Sequence, residues 1–181
     1  MQLSILDRLQ ILRGDITKLQ VDAIVNAANE RLAPGGGVDG AIRRSAGPEL
    51  DEACRRLGGC PVGEARITPG FRLPAKYVIH TVGPVYRDGA QGEPHLLRSC
   101  YINALKLAEE NGLRSLAFPC IATGIYGYPK KEACAIATEA VTDWLRGHSL
   151  PERVIFCCFE QEDYDLYCEQ LKKLQTMTSE Q

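Results

Sequence analysis

Apolar and polar positions along the chain switch repeatedly between a period near two and a period near 3.6. Alternation of Leu9 and Ile11 with polar neighbours predicts a half-exposed strand over Arg8–Arg13. The apolar run Ala23–Asn26 predicts a buried strand, and Glu64–Thr68, Tyr77–Val82, Ser115–Cys120 and Arg153–Phe159 predict four more. Helical spacing predicts a short helix over Val38–Ala46 and a second over Glu49–Leu57, started by Pro48 and stopped by Gly58-Gly59. A longer one runs from about His95 to Asn111, with Leu97, Cys100/Tyr101, Ala104 and Ala108 on one stripe and Gly112 at the cap. Another spans Pro129 to Arg146, striped by Ala133, Ile136/Ala137, Ala140/Val141 and Trp144. The last carries Tyr164, Tyr167, Leu171 and Leu174, with Glu162 and Asp163 favouring its positive end. Its stripe stops at Leu174. The pattern therefore predicts one domain over residues 1–174 and a flexible tail over 175–181.

Strands alternating with helices predict an α/β fold, a mixed sheet covered on both faces. In such folds ligands sit on loops beyond the carboxyl ends of strands. Two glycine-containing loops lie between a predicted strand and a predicted helix: Pro34–Gly40 and Ala122–Tyr128. They are expected to share one rim.

Composition narrows the classes. With 45% hydrophobic and 24% charged residues over 181 positions, the chain is globular in type. No apolar run approaches the roughly 20 residues of a membrane span, and the opening MQLSILDRLQ shows no export signal. The eight cysteines fall in helix-like and strand-like apolar segments, where a thiol packs as a small hydrophobe. A reduced, cytoplasmic protein is the expectation. No C-x-x-C pair is present, and the three histidines lack ligand spacing, so a zinc site is not expected. Net charge is −2, from 21 Lys+Arg against 23 Asp+Glu, with no basic cluster. Broad electrostatic binding to nucleic acid is disfavoured. A phosphate-bearing ligand would have to be held by backbone amides and helix ends.

The triple glycine Gly35-Gly36-Gly37, with Pro34 before it and Val38 after it, lets the backbone approach a ligand and opens a helix. The alternative is a flexible surface turn, for which three glycines are entropically costly. The second loop, Ala122, Thr123, Gly124, Ile125, Tyr126, Gly127 and Tyr128, is a weak signal alone but supplies a second wall. Asn26, at the end of an apolar strand, suits sugar hydroxyls; Asn29 suits them equally well as it suits a local turn. Asp39 is either a helix cap or a base that positions water. Asp15 either closes an Asx turn or accepts from a base amine, with the following amides of Ile16 and Thr17 beside it. Phe159 could stack on a base, although a core position is the plainer reading.

These segments together resemble a macrodomain, most closely its MacroD-type hydrolase branch. The resemblance is carried by GDIT at Gly14–Thr17, VNAAN at Val25–Asn29, GGGVDGAI at Gly35–Ile42, AGP at Ala46–Pro48, VIHTVGP at Val78–Pro84 and ATGIYGYP at Ala122–Pro129. It runs in order from Gly14 to about Leu171. It implies a three-layer α/β/α sandwich around a mixed, mostly parallel six-stranded sheet that binds ADP-ribose. It places Asp15 on the adenine amine, Phe159 on the adenine face, and Ala27 and Ala28 among the ligand contacts. Pro34–Asp39 and Ala122–Tyr128 would enclose the diphosphate and distal ribose, with Asn26, Asn29 and Asp39 as the catalytic set. The implied activity is metal-independent hydrolysis, with no metal or redox cofactor: removal of ADP-ribose from acidic side chains of mono-ADP-ribosylated proteins, deacetylation of O-acetyl-ADP-ribose, or both. Two positions depart from the branch. Pro34 stands where a fourth glycine is common, removing one amide donor, and Arg43 stands where histidine is common. Val38, in place of a cysteine after the glycines, disfavours the zinc-dependent branch. The competing readings are an ADP-ribose reader without catalysis and, less consistent with the charge, a single-stranded RNA binder.

Overall fold

A computed structural model describes residues 4–179. The chain runs through β1 (Leu9–Arg13), β2 (Ala23–Ala27), α1 (Gly37–Ala46), α2 (Pro48–Leu57), β3 (Ala65–Pro69), β4 (Tyr77–Thr81), α3 (Glu93–Glu110), β5 (Ser115–Phe118), α4 (Lys130–Gly147), β6 (Arg153–Cys158) and α5 (Gln161–Ser179). Short 3-10 turns over Ile5–Arg8 and Ile16–Lys18 flank β1. The six strands form one sheet in the order β1-β6-β5-β2-β4-β3. Every pairing is parallel except β3 with β4. The mixed, mostly parallel sheet expected from the sequence is thus the observed one.

Side chains alternate across each strand and feed two cores. On one face Val25, Leu116, Phe118 and Phe156 pack under α3, α4 and α5. On the other Ile24, Val78, Ala117 and Ile155 pack under α1 and α2. The α3–α5 layer is centred on aromatic rings: Phe118 lies 4.9 Å from Tyr101 and 6.1 Å from Phe156, which lies 4.9 Å from Tyr167. The edge position of β1 explains its half-exposed alternation.

The elements follow local chemistry. Pro48 starts α2 in the first turn, where its missing amide costs nothing, and Gly58 ends it at φ 74°. α5 continues to Ser179, past Leu174, the last residue of its apolar stripe. The apolar stripe ends where the helix leaves the core, and the helix runs on past it, with Thr176 Oγ1 donating to the Lys172 carbonyl. Residues 180–181 lie outside the described part. No described helix is long and apolar enough to cross a membrane.

Phe118 sits at the centre of the aromatic layer with no exposed surface. Phe118→Ala is expected to destabilise the fold by about 3–5 kcal/mol, measured as a shift of the urea unfolding midpoint.

Candidate functional site

Parallel strands bring their carboxyl ends to one rim. From edge to centre that rim presents Asp15 after β1, Phe159 after β6, the loop Ala122–Tyr128 after β5, and Asn26, Asn29 and the glycine loop at the end of β2. β1 and β2 are separated by three interstrand steps, about 14 Å. The two loops expected to share a rim do so.

At the outer end lies an open cleft of about 600 Å³ lined by Arg13, Gly14, Asp15, Phe159, Glu160 and Gln161. Phe159 is 79% exposed. This overturns its plainer reading as a core residue: β6 ends at Cys158, so Phe159 emerges beyond the sheet. Asp15 closes the turn that was one of its two readings, since Oδ1 accepts from the Thr17 amide at 2.9 Å and from Thr17 Oγ1 at 2.6 Å. The hydroxyl hydrogen bond from Thr17 is the main force holding its carboxyl below the usual range. Ile16 and Thr17 themselves are buried beneath it.

The inner end is built around Asp39, 4% exposed on the first turn of α1. It is not the helix cap; that position is Gly36, which has no side chain to offer. Asp39 instead reaches back. Oδ2 accepts from the Gly35 amide at 2.7 Å and from Arg43 Nε at 2.9 Å, and Oδ1 accepts from Asn26 Nδ2 at 2.7 Å. The same carboxylate therefore ties β2, the glycine loop and the body of α1 together.

Asn26 faces inward with no exposed surface. Its second amide hydrogen points to His80 Nδ1 at 3.1 Å. A carboxylate can only accept, so the Asn26 amide orientation is assigned by Asp39, and His80 Nδ1 must then accept. The proton sits on His80 Nε2, 3.0 Å from Thr68 Oγ1 and 3.8 Å from Cys54 Sγ. Burial, and next the charge of Arg43, hold the imidazole down to about 3, so it stays neutral at working pH. The expected sugar contact at Asn26 is accordingly reduced to its Oδ1, which is buried without a protein donor. Asn29 takes its turn role: Nδ2 donates to the Ala33 carbonyl at 2.8 Å and Oδ1 accepts from the Ala33 amide at 3.0 Å. It shapes the entry to the glycine loop.

Pro34, Gly35, Gly36 and Gly37 are exposed and Val38 is half-buried. Gly37 sits at φ 55°, a backbone region that strains any residue with a Cβ. At Gly40 a Cβ would fall 2.8 Å from the Gly35 carbonyl oxygen, so glycine there lets the loop lie on its own helix. With no side-chain cap at Gly36, the first amides of α1 are left for an anion. Ala27 and Ala28 lead away from β2; the Ala28 amide is taken by the Thr81 carbonyl at 2.8 Å.

The second loop closes on itself, with the Tyr128 amide donating to the Ala122 carbonyl at 2.9 Å and Gly127 to Gly124 at 3.0 Å. Ala122, a residue with a Cβ, is held at φ 68°, and such strain collects at working sites. Thr123 and Tyr126 are half-buried, Gly124 and Gly127 exposed, and Ile125 is 95% exposed at the tip. Tyr128 is buried against the Tyr86 ring at 4.8 Å. The Tyr86 amide also donates to the Tyr126 carbonyl at 2.8 Å. This brace was not visible in the sequence, and neither was its anchor. Glu93 accepts the amides of Arg87, Asp88, Gly89 and Gln91, clamping the turn that carries Tyr86. Among the described residues no three His, Cys, Asp or Glu side chains gather into a metal-holding group, and all eight cysteines are unpaired thiols.

A nucleotide-sized rim at the carboxyl edge of a three-layer α/β/α sandwich, with uncapped helix amides and a buried carboxylate at one end, defines a class of ligand-binding α/β domain. The macro domain model matches residues 25–137, and the chain belongs to that family. It is 54% identical over 164 residues to an O-acetyl-ADP-ribose deacetylase of Escherichia fergusonii, covering 88% of this chain and 93% of that one. It is 53% identical over 169 residues to the ADP-ribose glycohydrolase MACROD2 of Mus musculus, covering 92% of this chain and 36% of that larger protein. Among solved structures, a mutant of the Oceanobacillus iheyensis macrodomain with ADPR superposes at a TM-score of 0.91, with 43% identity over 97% of this chain and 98% of that one.

Burial would raise the Glu93 carboxyl, but backbone amide donors, among them those of Arg87, Gly89 and Gln91, outweigh it and hold it at about 2, against 4.5 for an ordinary glutamate. A depressed carboxyl contributes stability above its unfolded value and loses it as pH falls through the folded one. Wild type is therefore expected to lose this contribution between pH 4.5 and about 2. Glu93→Gln should be less stable at neutral pH and show a flatter loss over that window, measured by urea unfolding at stepped pH.

Proposed function

We propose that this protein is an ADP-ribose-binding hydrolase that cleaves an ester at the distal ribose, in mono-ADP-ribosylated acidic side chains, in O-acetyl-ADP-ribose, or in both. The observation that carries the reading is the spacing of unlike features along one rim. An exposed aromatic and an acceptor stand at one end, two amide-rich loops in the middle, and a buried carboxylate at the other, over about 14 Å. Adenine suits the Asp15–Phe159 cleft: the ring stacks on Phe159, and Asp15, whose Oδ2 is not used by the turn, accepts from the exocyclic amine. The diphosphate suits the uncapped amides of α1 and the loop Ala122–Tyr128, which compensate for the lack of clustered lysine and arginine. The distal ribose then lies toward Asp39. The names of the deacetylase and glycohydrolase relatives support the same chemistry.

In the proposed step a water oxygen attacks the ester carbonyl carbon. The bond from that carbon to the ribose oxygen breaks, and the proton given up by the water passes to that oxygen, leaving a ribose hydroxyl and a free carboxylic acid. Three of the roughly four acceptor positions of the Asp39 carboxylate are already used. The remaining one orients a water or a ribose hydroxyl. Asp39 therefore acts through position more than through proton abstraction, and Asn26 Oδ1 offers a second acceptor beside it. Cysteines such as Cys54, Cys100 and Cys158, buried as packing groups, suit a reducing cytoplasmic setting as part of this reading.

Turnover of O-acetyl-ADP-ribose and of an ADP-ribosylated acidic protein by wild type and by Asp39→Asn tests the assignment. Asp39→Asn is expected to lose about 10²-fold in rate, the scale of a misplaced positioning group, while still binding ADP-ribose. Full turnover in that variant contradicts the role of Asp39. Binding by wild type without any product release favours the reader instead. Phe159→Ala should weaken ADP-ribose binding by about 1–3 kcal/mol in calorimetry, the usual worth of a base stacked on an aromatic ring.

A further inference from the structure

Arg43 is 7% exposed, and its side chain joins three parts of the fold: α1, α2 and the turn ending at Leu32. Nε donates to Asp39 Oδ2 at 2.9 Å, one turn back on α1. One terminal nitrogen donates to Asp51 Oδ1 on α2 at 2.7 Å, and the other to the Leu32 carbonyl at 2.9 Å. Leu32 lies at the end of the turn that Asn29 shapes, and is itself held at φ 53°. The Asp51 end is 40% exposed, so the guanidinium runs from near the surface to the back of Asp39.

We propose that Arg43 is a positioning residue for the hydrolysis: its three-pronged contact fixes the Asp39 carboxylate in the one orientation that also captures the Gly35 amide. This deepens the hydrolase reading and rests on it for its effect on rate. The geometry supports a division of labour. Asp39 and the loop amides lie on the ligand side, whereas the Arg43 donors go to Asp39, Asp51 and a backbone carbonyl behind them. Guanidinium donors lie in a fixed fork, so three acceptors are satisfied without further freedom. A lysine at this position presents one ammonium on a flexible stem and reaches fewer of them. Arginine also remains protonated at any working pH, so it holds Asp39 without exchanging a proton with it.

The test uses the full chain with Arg43→Gln, Arg43→Lys and Asp51→Asn. Three quantities are measured: kcat and KM on O-acetyl-ADP-ribose, Kd for ADP-ribose, and the hydrogen-exchange protection of the Gly35 amide by NMR. Arg43→Gln is expected to lower kcat by about 10- to 100-fold, the scale of a small misplacement away from the chemistry. Its Kd should stay within error and its Gly35 amide should lose protection. Arg43→Lys should recover part of the kcat. Asp51→Asn, at the half-exposed end, should shift kcat and amide protection in the same direction by less, and it serves if Arg43→Gln does not fold. An unchanged kcat, or a kcat that falls together with the affinity for ADP-ribose, overturns the proposal. If wild type shows no turnover, the hydrolase reading fails by itself. Arg43 is then judged on the Gly35 amide alone, and retained protection in Arg43→Gln overturns it.

Discussion

One carboxylate accepting from three donors holds the inner end of this site together. Asp39 draws Asn26 from β2, the Gly35 amide from the glycine loop and Arg43 from its own helix onto two oxygens. Bringing an aspartate and an arginine out of water costs several kcal/mol per ion before any attraction is counted. The structure offsets that cost by giving each charge more than one partner: Arg43 also meets Asp51 and the Leu32 carbonyl. Behind Asn26 the chain of contacts continues to a neutral His80 and Thr68. The loop that would meet phosphate is therefore anchored from beneath by a network in which Arg43, His80 and Thr68 stand behind Asp39 and Asn26.

Strand order then turns this anchor into a ruler. Because β1, β6, β5 and β2 are all parallel, their carboxyl ends emerge side by side. The aromatic after β6, the strained loop after β5 and the anchored loop after β2 are thus placed at fixed intervals by sheet geometry. The loop after β5 needs a support of its own, which comes from the opposite direction: Tyr86 packs on Tyr128 and bonds to Tyr126, and Glu93 clamps the turn behind it. Two loops, each backed by a buried or clamped carboxylate, leave their amides on the rim. This is consistent with a chain of net charge −2 that binds an anion without a basic patch.

Much of this was legible in the sequence, for physical reasons that also set its limit. Strands and helices follow from periodicity, and the rim follows from their alternation, so the layers, the mixed sheet and the two loops were readable. Asp39 and Arg43 are four apart on a predicted helix, so their contact was readable as a helix pair. The Asn26–His80 contact was not, because it depends on β2 and β4 being adjacent and in register. Asn29 had two equal readings, and only the position of Ala33 chose the turn. Phe159 was misjudged because an aromatic at a strand end has the same pattern whether the strand stops before or after it. The last turn of α5 was not legible because an apolar stripe records contact with the core, not the length of the helix. The Glu93 clamp has no local pattern, since its partners are backbone amides of a turn.

The most direct test of the account is a crystal structure of the protein with ADP-ribose. It should show adenine between Phe159 and Asp15 and the diphosphate against the first amides of α1 and the loop Ala122–Tyr128. The distal ribose should lie beside Asp39, with the Asn26, Gly35 and Arg43 contacts to Asp39 intact. A ligand bound in the reverse direction, or one whose entry breaks those three contacts, would contradict it.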